Sequence, residues 1–355
     1  LDHEGKSEEK AIGKNGQRLG KFMEIKNKLK IFNRTELTNW LLAGPAWIQH
    51  RTRLDLLGQS ENDPEVINAR KAMLEDPQVK SLLEELMAWP GAPLKRHNDA
   101  SHLLHKLAFL ADLGFKADDL FLEPVVANIF DHQSGEGAFQ TAVNIPTHFG
   151  GSGEDEWQWM LCDAPLVLYA LLKLGLGTEP RVKTACSHIG SLVRENGWPC
   201  AAASELGKFR GPGRKDDPCP YANLVSLKAL AQSSKWRDSD VCKVGAETIL
   251  SLWEQRKTRK PYLFGMGTDF AKLKAPLIWY DILHVLDVLS QFPRLRGDSR
   301  LQEMVSILKA KADEQGRFMP ESIWMAWKGW DFGQKKEPSR WITLLAHKAF
   351  QRLGV

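Results

Sequence analysis

Residues 162–199 read CDAPLVLYALLKLGLGTEPRVKTACSHIGSLVRENGWP, and they hold one complete structural unit. The stretch from Cys162 to Leu176 is apolar around most of a helix circumference, which suits a helix buried on all sides. Gly175 and Gly177 stop it. Thr178 can cap a second helix with Pro180 in its first turn. From there the apolar residues follow a single stripe, the pattern of a helix with one wet face. The unit closes on a glycine and an aromatic residue, Gly197-Trp198.

The same order recurs on both sides. HNDASHLLHKLAFLADLGF (97–115), CPYANLVSLKALAQ (219–232) and WYDILHVLDVLSQF (279–292) each lead from small, polar or Cys residues into a Leu-rich helix. The four starts lie about 60 residues apart, longer than the roughly 34 of a tetratricopeptide or the ~40–47 of HEAT repeats. Each unit ends alike, in QSGEGAF (133–139), ENGWP (195–199), YLFGMG (262–267) and EQGRF (314–318). PAWIQHRTRLDLLG (45–58) before and EPSRWITLLAHKAF (337–350) after bring the first-type helices to about six. Strand signals are almost absent. The expectation is an all-α protein, an α/α toroid of about six inner helices ringed by outer helices. One closed ring accounts for residues 23–355 as a single domain. Leu1 to Phe22 are polar and precede Met23, a natural start, so they read as an appended or flexible segment outside the fold.

Composition narrows the function. The 355 residues are 43% hydrophobic and 26% charged, as in soluble globular proteins. No run of about eighteen uncharged apolar residues exists, so no membrane span is expected. The net charge of +4 is small and spread along the chain, which gives nucleic-acid binding no support. Five widely spaced cysteines do not form a disulfide framework, and the N-terminus has no apolar signal core, so a cytoplasmic location is expected.

With quotable endings such as Gln133-…-Gly137-Ala138-Phe139 and Gln315-Gly316-Arg317-Phe318, the units over roughly residues 95 to 350 resemble the repeats of squalene cyclases and protein prenyltransferase β subunits. In a toroid all inner helices start at one rim. That places His97, Asp99 and His102 with His148, Cys162 and Asp163, then with Cys200, Asp217 and Cys219, then with Asp281 and His284. Cys186 and Cys242 fall in outer helices, remote from that rim.

The loop GPGRKDDPCPY (211–221) resembles the zinc loop of the prenyltransferase β subunits. That resemblance implies Asp217 and Cys219 as zinc ligands, and Arg214, Lys215 and Tyr221 as groups that hold an isoprenoid diphosphate. The family's third ligand is a histidine after an aromatic residue in the next inner helix. Here Trp279-Tyr280 is followed by Asp281, with His284 one turn on, so the implied third ligand is Asp281 or His284. Cys162, Cys200 and Cys219 form a rival ligand set. Independently of any family, a thiol at a helix N-terminus beside Arg or Lys has a lowered pKa, and thiolate, carboxylate and imidazole all bind zinc. The plainer reading makes Cys219 a small buried cap and the charges a solvated loop.

Other residues carry similar alternatives. His97, His102 and His105 suit capping and packing as well as ligation. Glu154, Asp155 and Glu156 read as a solvated acidic loop, whereas Asp163 opens an inner helix and can do acid–base work. The squalene-cyclase acid motif Asp-x-Asp-Asp is absent. Thirteen Trp residues can line an apolar cavity, with Trp279 and Tyr280 nearest the loop, or can pack outer endings onto the inner ring.

The leading expectation is a prenyltransferase-like transferase, akin to terpenoid cyclases in fold, that binds an isoprenoid or other apolar diphosphate in the toroid. Cys219 and Asp163 would carry the chemistry, Arg214, Lys215, Tyr221, Trp279 and Tyr280 would hold substrate, and zinc would be the cofactor. The alternatives are a carbohydrate-active or lyase-type α/α barrel using Asp163 with Glu154–Glu156, and a non-catalytic toroid that binds a small molecule or protein. The acceptor and any partner subunit are not legible.

Overall fold

Unbroken Leu and Ala runs bounded by glycine become helices with no wet face, and the rest of the chain arranges itself around them. A computed structural model describes residues 33–119, 121–207, 209 and 213–355. The segment 1–22 and Met23 lie outside the described residues, as do 208 and 210–212. Fourteen α-helices and one two-stranded sheet form the regular structure of the described residues. The chain is all-α in class.

The first helices are α1 (Arg34–Leu42), α2 (Ala46–Asp55), α3 (Pro64–Glu75) and α4 (Pro77–Leu86). The repeat units supply α5 (Leu103–Leu113) with α6 (Leu122–Asp131), then α7 (Ala164–Lys173) with α8 (Pro180–Ser191). They continue with α9 (Pro220–Leu230), the short α10 (Ser234–Arg237) and α11 (Asp240–Glu254), then α12 (Ile282–Leu289) with α13 (Ser299–Lys309). Helix α14 (Arg340–Leu353) ends the chain.

Every residue of α9 and of α12 is buried. In α5 only Lys106 and Asp112 escape full burial. The second helices bury one stripe each, Val182, Ala185, Cys186 and Ile189 in α8, and Leu301, Met304, Val305 and Leu308 in α13. These i, i+3, i+4, i+7 sets mark helices with one dry face. Helix α2 packs on α5, α5 on α7, α7 on α9, α9 on α12, α12 on α14, and α14 back on α2. The contacts of the six therefore form a closed cycle.

The glycine-aromatic endings are what stitch one unit to the next. In three of the four, a tight turn with a left-handed glycine (Gly137, Gly197 or Gly316) drives the aromatic residue inward. Phe139, Trp198 and Phe318 are accordingly buried. At Gly197 a Cβ would lie 2.5 Å from Asn223 Oδ1 and Thr248 Oγ1, so the backbone there tolerates only glycine. The Cys219 N–H donates to Trp198 O at 2.8 Å, and the Trp198 N–H donates to Asn223 Oδ1 at 3.0 Å. The same stitch recurs at the last unit. There the Ser339 N–H donates to Phe318 O at 2.9 Å, and the Phe318 N–H donates to Thr343 Oγ1 at 2.9 Å.

Two features differ from the sequence expectation. The stretch 97–102 is not helical, because His102 is the N-cap of α5 and its Nδ1 accepts from the Leu104 N–H at 3.1 Å. A hairpin also appears, β1 (Thr141–Asn144) paired antiparallel with β2 (Asp155–Gln158). It carries two of the residues expected in an acidic loop. Asn144 Nδ2 donates to Asp155 and Ser152 Oγ donates to Glu156, both at 2.7 Å, which holds these carboxylates on the hairpin.

Candidate functional site

The start of α9 is fixed before any chemistry is considered. Asn223 Nδ2 donates to Trp198 O at 2.9 Å and to Cys219 O at 2.8 Å, so the backbone of the cap residue cannot turn. The buried Cys219 sulfur faces the Ala222 N–H at 3.5 Å, in the cap position that Ser339 occupies at α14. The Leu161 N–H donates to Ala201 O, which brings the Cys162 segment beside the loop holding Cys200. The Cys162 and Cys219 thiols lie side by side. The Cys162 thiol, the Ala222 and Tyr221 N–H groups and the His97 charge together hold the Cys219 thiol below its ordinary pKa, against burial. Cys219 and burial push Cys162 well up.

Asp163, the N-cap of α7, is fully buried. Its Oδ1 accepts from His97 Nδ1 at 2.8 Å, which leaves the lone pair of the neutral imidazole on Nε2. Burial alone lowers the His97 pKa, but the charge and hydrogen bond of Asp163 outweigh it, so His97 titrates above its ordinary value. The His97 carbonyl accepts from His105 Nε2 at 2.9 Å, tying the pair to α5. Thiol, imidazole and carboxylate thus come from three separate units.

The other sequence candidates are placed as follows. Asp281 caps α12, its Oδ1 accepting the His284 N–H at 3.0 Å. Its Oδ2 has no partner among the described residues, and burial pushes its pKa up to about 7. His284 donates from Nδ1 to Trp279 O at 2.8 Å; burial drives its pKa down to about 3, so it is neutral, and its Nε2 has no partner among the described residues. Tyr280 is buried and its hydroxyl has no partner among the described residues. Tyr221 is sealed in the core with its hydroxyl donating to Ile278 O at 2.8 Å, and its ring lies 4.6 Å from that of Trp279. Arg214 and Lys215 are exposed at the loop surface. Asp217 turns outward to Arg259 Nη2 at 3.1 Å, while Cys219, two residues on, turns inward to Cys162. The chain therefore does not aim these two side chains at one point. Among the described residues no three His, Cys, Asp or Glu side chains are grouped to hold a metal ion.

The aromatic side chains of the last rim loop pack on one another. The Phe109 ring lies 5.0 Å from those of both Trp327 and Trp330, and the Trp47 ring 5.5 Å from that of Trp341. Trp327 Nε1 donates to Ala100 O at 2.8 Å, which fastens this loop over α5.

At the opposite, C-terminal ends of the same six helices lies a charged network that sequence reading missed. Each apolar run carries a charge near its end, Asp55, Asp112, Lys173, Lys228, Asp287 and Lys348. The six converge. Asp287 receives Lys348 Nζ at 3.4 Å and Arg352 Nη1 at 3.1 Å. Asp55 receives Arg51 at 2.6 Å and Lys348 at 4.0 Å. The Tyr169 hydroxyl donates to Asp112, and Lys228 Nζ lies 4.7 Å from the centre of the Tyr169 ring. Burial pushes Asp55 and Asp287 up, but the cations more than reverse it and both titrate well below the usual carboxylate range. Burial, with Arg51 close by, lowers Lys173 to about 8. One charge per helix was the signal in the sequence, legible only once the helices are known to share a centre.

Compared with known proteins, the chain matches no protein-family model and no curated protein sequence.

Proposed function

We propose that the chain is an α/α toroid enzyme of the prenyltransferase-like kind, with the Cys219 thiolate as the reacting group at the N-terminal rim. The cyclic contacts of six buried helices and their shared charge network support the toroid. The observation that carries the chemistry is the placement of Cys219, whose sulfur caps α9 against the Ala222 N–H with the His97–Asp163 pair and Cys162 beside it; the thiol directions agree with it. Burial pushes Cys186 and Cys242 up to about 11, and Cys162 rises well above its ordinary value, whereas Cys219 alone of these four is pulled down. Ser339 performs the same capping role at α14 with a hydroxyl, so the stitch itself does not require sulfur.

In this reading the Cys219 thiolate takes the proton of an acceptor's nucleophilic atom as that atom bonds to the substrate carbon and the carbon–oxygen bond to diphosphate breaks. The His97 imidazolium, held by Asp163, gives its proton to the departing diphosphate, and the Cys219 thiol then returns the proton to His97. Arg214 and Lys215, exposed beside the helix start, would receive a diphosphate. Zinc, as the resemblance implies it, would lower the pKa of a bound thiol; no step here runs through it.

The test titrates farnesyl diphosphate and farnesol into wild type, Cys219→Ser and Arg214→Ala, with turnover and zinc content measured alongside. Wild type should prefer the diphosphate, Arg214→Ala should weaken that preference about tenfold, and Cys219→Ser should bind yet fail to turn over. Equal affinity for both ligands, or none for either, removes the reading and leaves a binding scaffold.

A further inference from the structure

The charged network at the C-terminal ends is unbalanced. Arg51, Lys173, Lys228, Lys348 and Arg352 face Asp55, Asp112 and Asp287, and the nearby cations Arg70 and Lys116 are already paired with Asp119 and Glu61. His50 and His284, packed against the network, stay neutral because burial lowers them to about 4 and about 3. Lys228 is the critical member. It is 1% exposed, and its ammonium donates no hydrogen bond to any described residue; it lies over the Tyr169 ring, with Asp287 and Asp281 near enough to feel its charge. The partially negative ends of the helices favour cations here. That field gives the three N–H donors of Lys228 no acceptor, and a buried ammonium without acceptors is costly. Exposure rises outward from it, since the Lys348 side chain is 15% and the Arg352 side chain 32% exposed. The network thus runs from a dry inner end at Lys228 to solvent at Arg352.

We propose that this C-terminal mouth binds a small oxyanion of two or more negative charges, with Lys228 as the innermost donor and Lys173 and Lys348 nearer the opening. The site is separate from the thiol rim, and the inference does not depend on the chemistry proposed there. Phosphate-type and carboxylate-type anions share the required chemistry, and Lys and Arg together accept both.

The experiment measures binding of pyrophosphate and of citrate at constant ionic strength, by calorimetry and by the rise in melting temperature, in wild type, Lys228→Met, Lys173→Gln and Lys243→Gln, the last a surface lysine paired with Asp240. Wild type should bind one of the two anions and melt several degrees higher with it, and the favoured anion tells phosphate from carboxylate ligands. Lys228→Met and Lys173→Gln should each weaken binding about tenfold or more, and Lys243→Gln should leave it unchanged. If Lys228→Met does not fold, Lys173→Gln decides alone. No binding of either anion by wild type overturns the site. So does binding that survives in the two lysine variants.

Discussion

The two ends of the six helices that contact one another in a cycle handle polarity in opposite ways. The N-terminal rim holds neutral or anion-forming groups, Cys219, Asp163 and Asp281 among them, set against exposed helix N–H donors. The C-terminal mouth holds Lys173, Lys228, Lys348 and Arg352 among helix carbonyls. Parallel helices add their dipoles, so one rim favours negative charge and the other positive. Reactive groups with unmet hydrogen bonds gather at the rim, with Asp163 Oδ2, Tyr280 OH and Asp281 Oδ2 all lacking partners among the described residues. At the mouth, the carboxylates are saturated and only the lysine excess is left over. Such asymmetry separates an end with unmet hydrogen bonds from an end with uncompensated positive charge.

That contrast breaks most sharply at Asp287. Asp287→Ala removes the acceptor shared by Lys348 and Arg352 and leaves both cations uncompensated beside Lys228. The expected loss is about 3–5 kcal/mol of stability, read from denaturant midpoints. A loss below about 1 kcal/mol, the range of surface pairs, would mean that water reaches the network freely.

At the rim, Asp163→Asn keeps the shape of the side chain and removes the charge that raises His97. The His97 pKa, followed by NMR, should fall, and the Cys219 thiol should rise with it. An unmoved His97 would show that Asp163 does not set its charge.

A smaller effect, with a definite sign, is expected at Asp281. Its folded pKa of about 7 exceeds the ordinary value of about 3.9. Between these values the folded protein holds a proton that the unfolded chain has lost, so this group costs stability as pH rises from about 4 to about 7. Asp281→Asn keeps the cap acceptor and cannot ionise. It should match wild type near pH 4 and exceed it by about 1–3 kcal/mol above pH 7. The same gain at both pH values would assign the effect to packing.

Asp217 gives the smallest change. Its exposed pairing with Arg259 predicts a loss of about 1 kcal/mol or less for Asp217→Ala, with zinc content unaltered. Zinc lost together with Asp217 would restore the ligand set that the resemblance implied.

The inner helices were legible because their residues are apolar on every side and glycine marks their ends, as at Gly114, which caps α5 in the left-handed region. The hairpin was not, because its strands have four residues each, β1 alternating over too short a span to read and β2 burying none of its residues. At the site, Cys219 and Asp163 were singled out from their place before helix starts. His97 was set down as a packing residue because its partner lies 66 positions away, and no local pattern links the two. Asp217 and Cys219 show the converse. They are neighbours in sequence, yet Pro218 between them pairs with Pro199 and the two side chains leave in different directions.

The packing of α14 back onto α2 has a consequence for how the molecule bounds itself. A linear stack of repeats must finish each end with a capping unit that turns a polar face to water. Here Trp47 and Ile48 at the start of α2, and Trp341 and Ile342 at the start of α14, are as deeply buried as the middle units. Each of these helices serves as the cap of the other. The choice of where the chain begins is then a matter of loop position rather than of stability, and a permuted chain opened at the exposed turn between α7 and α8 should form the same cycle of contacts.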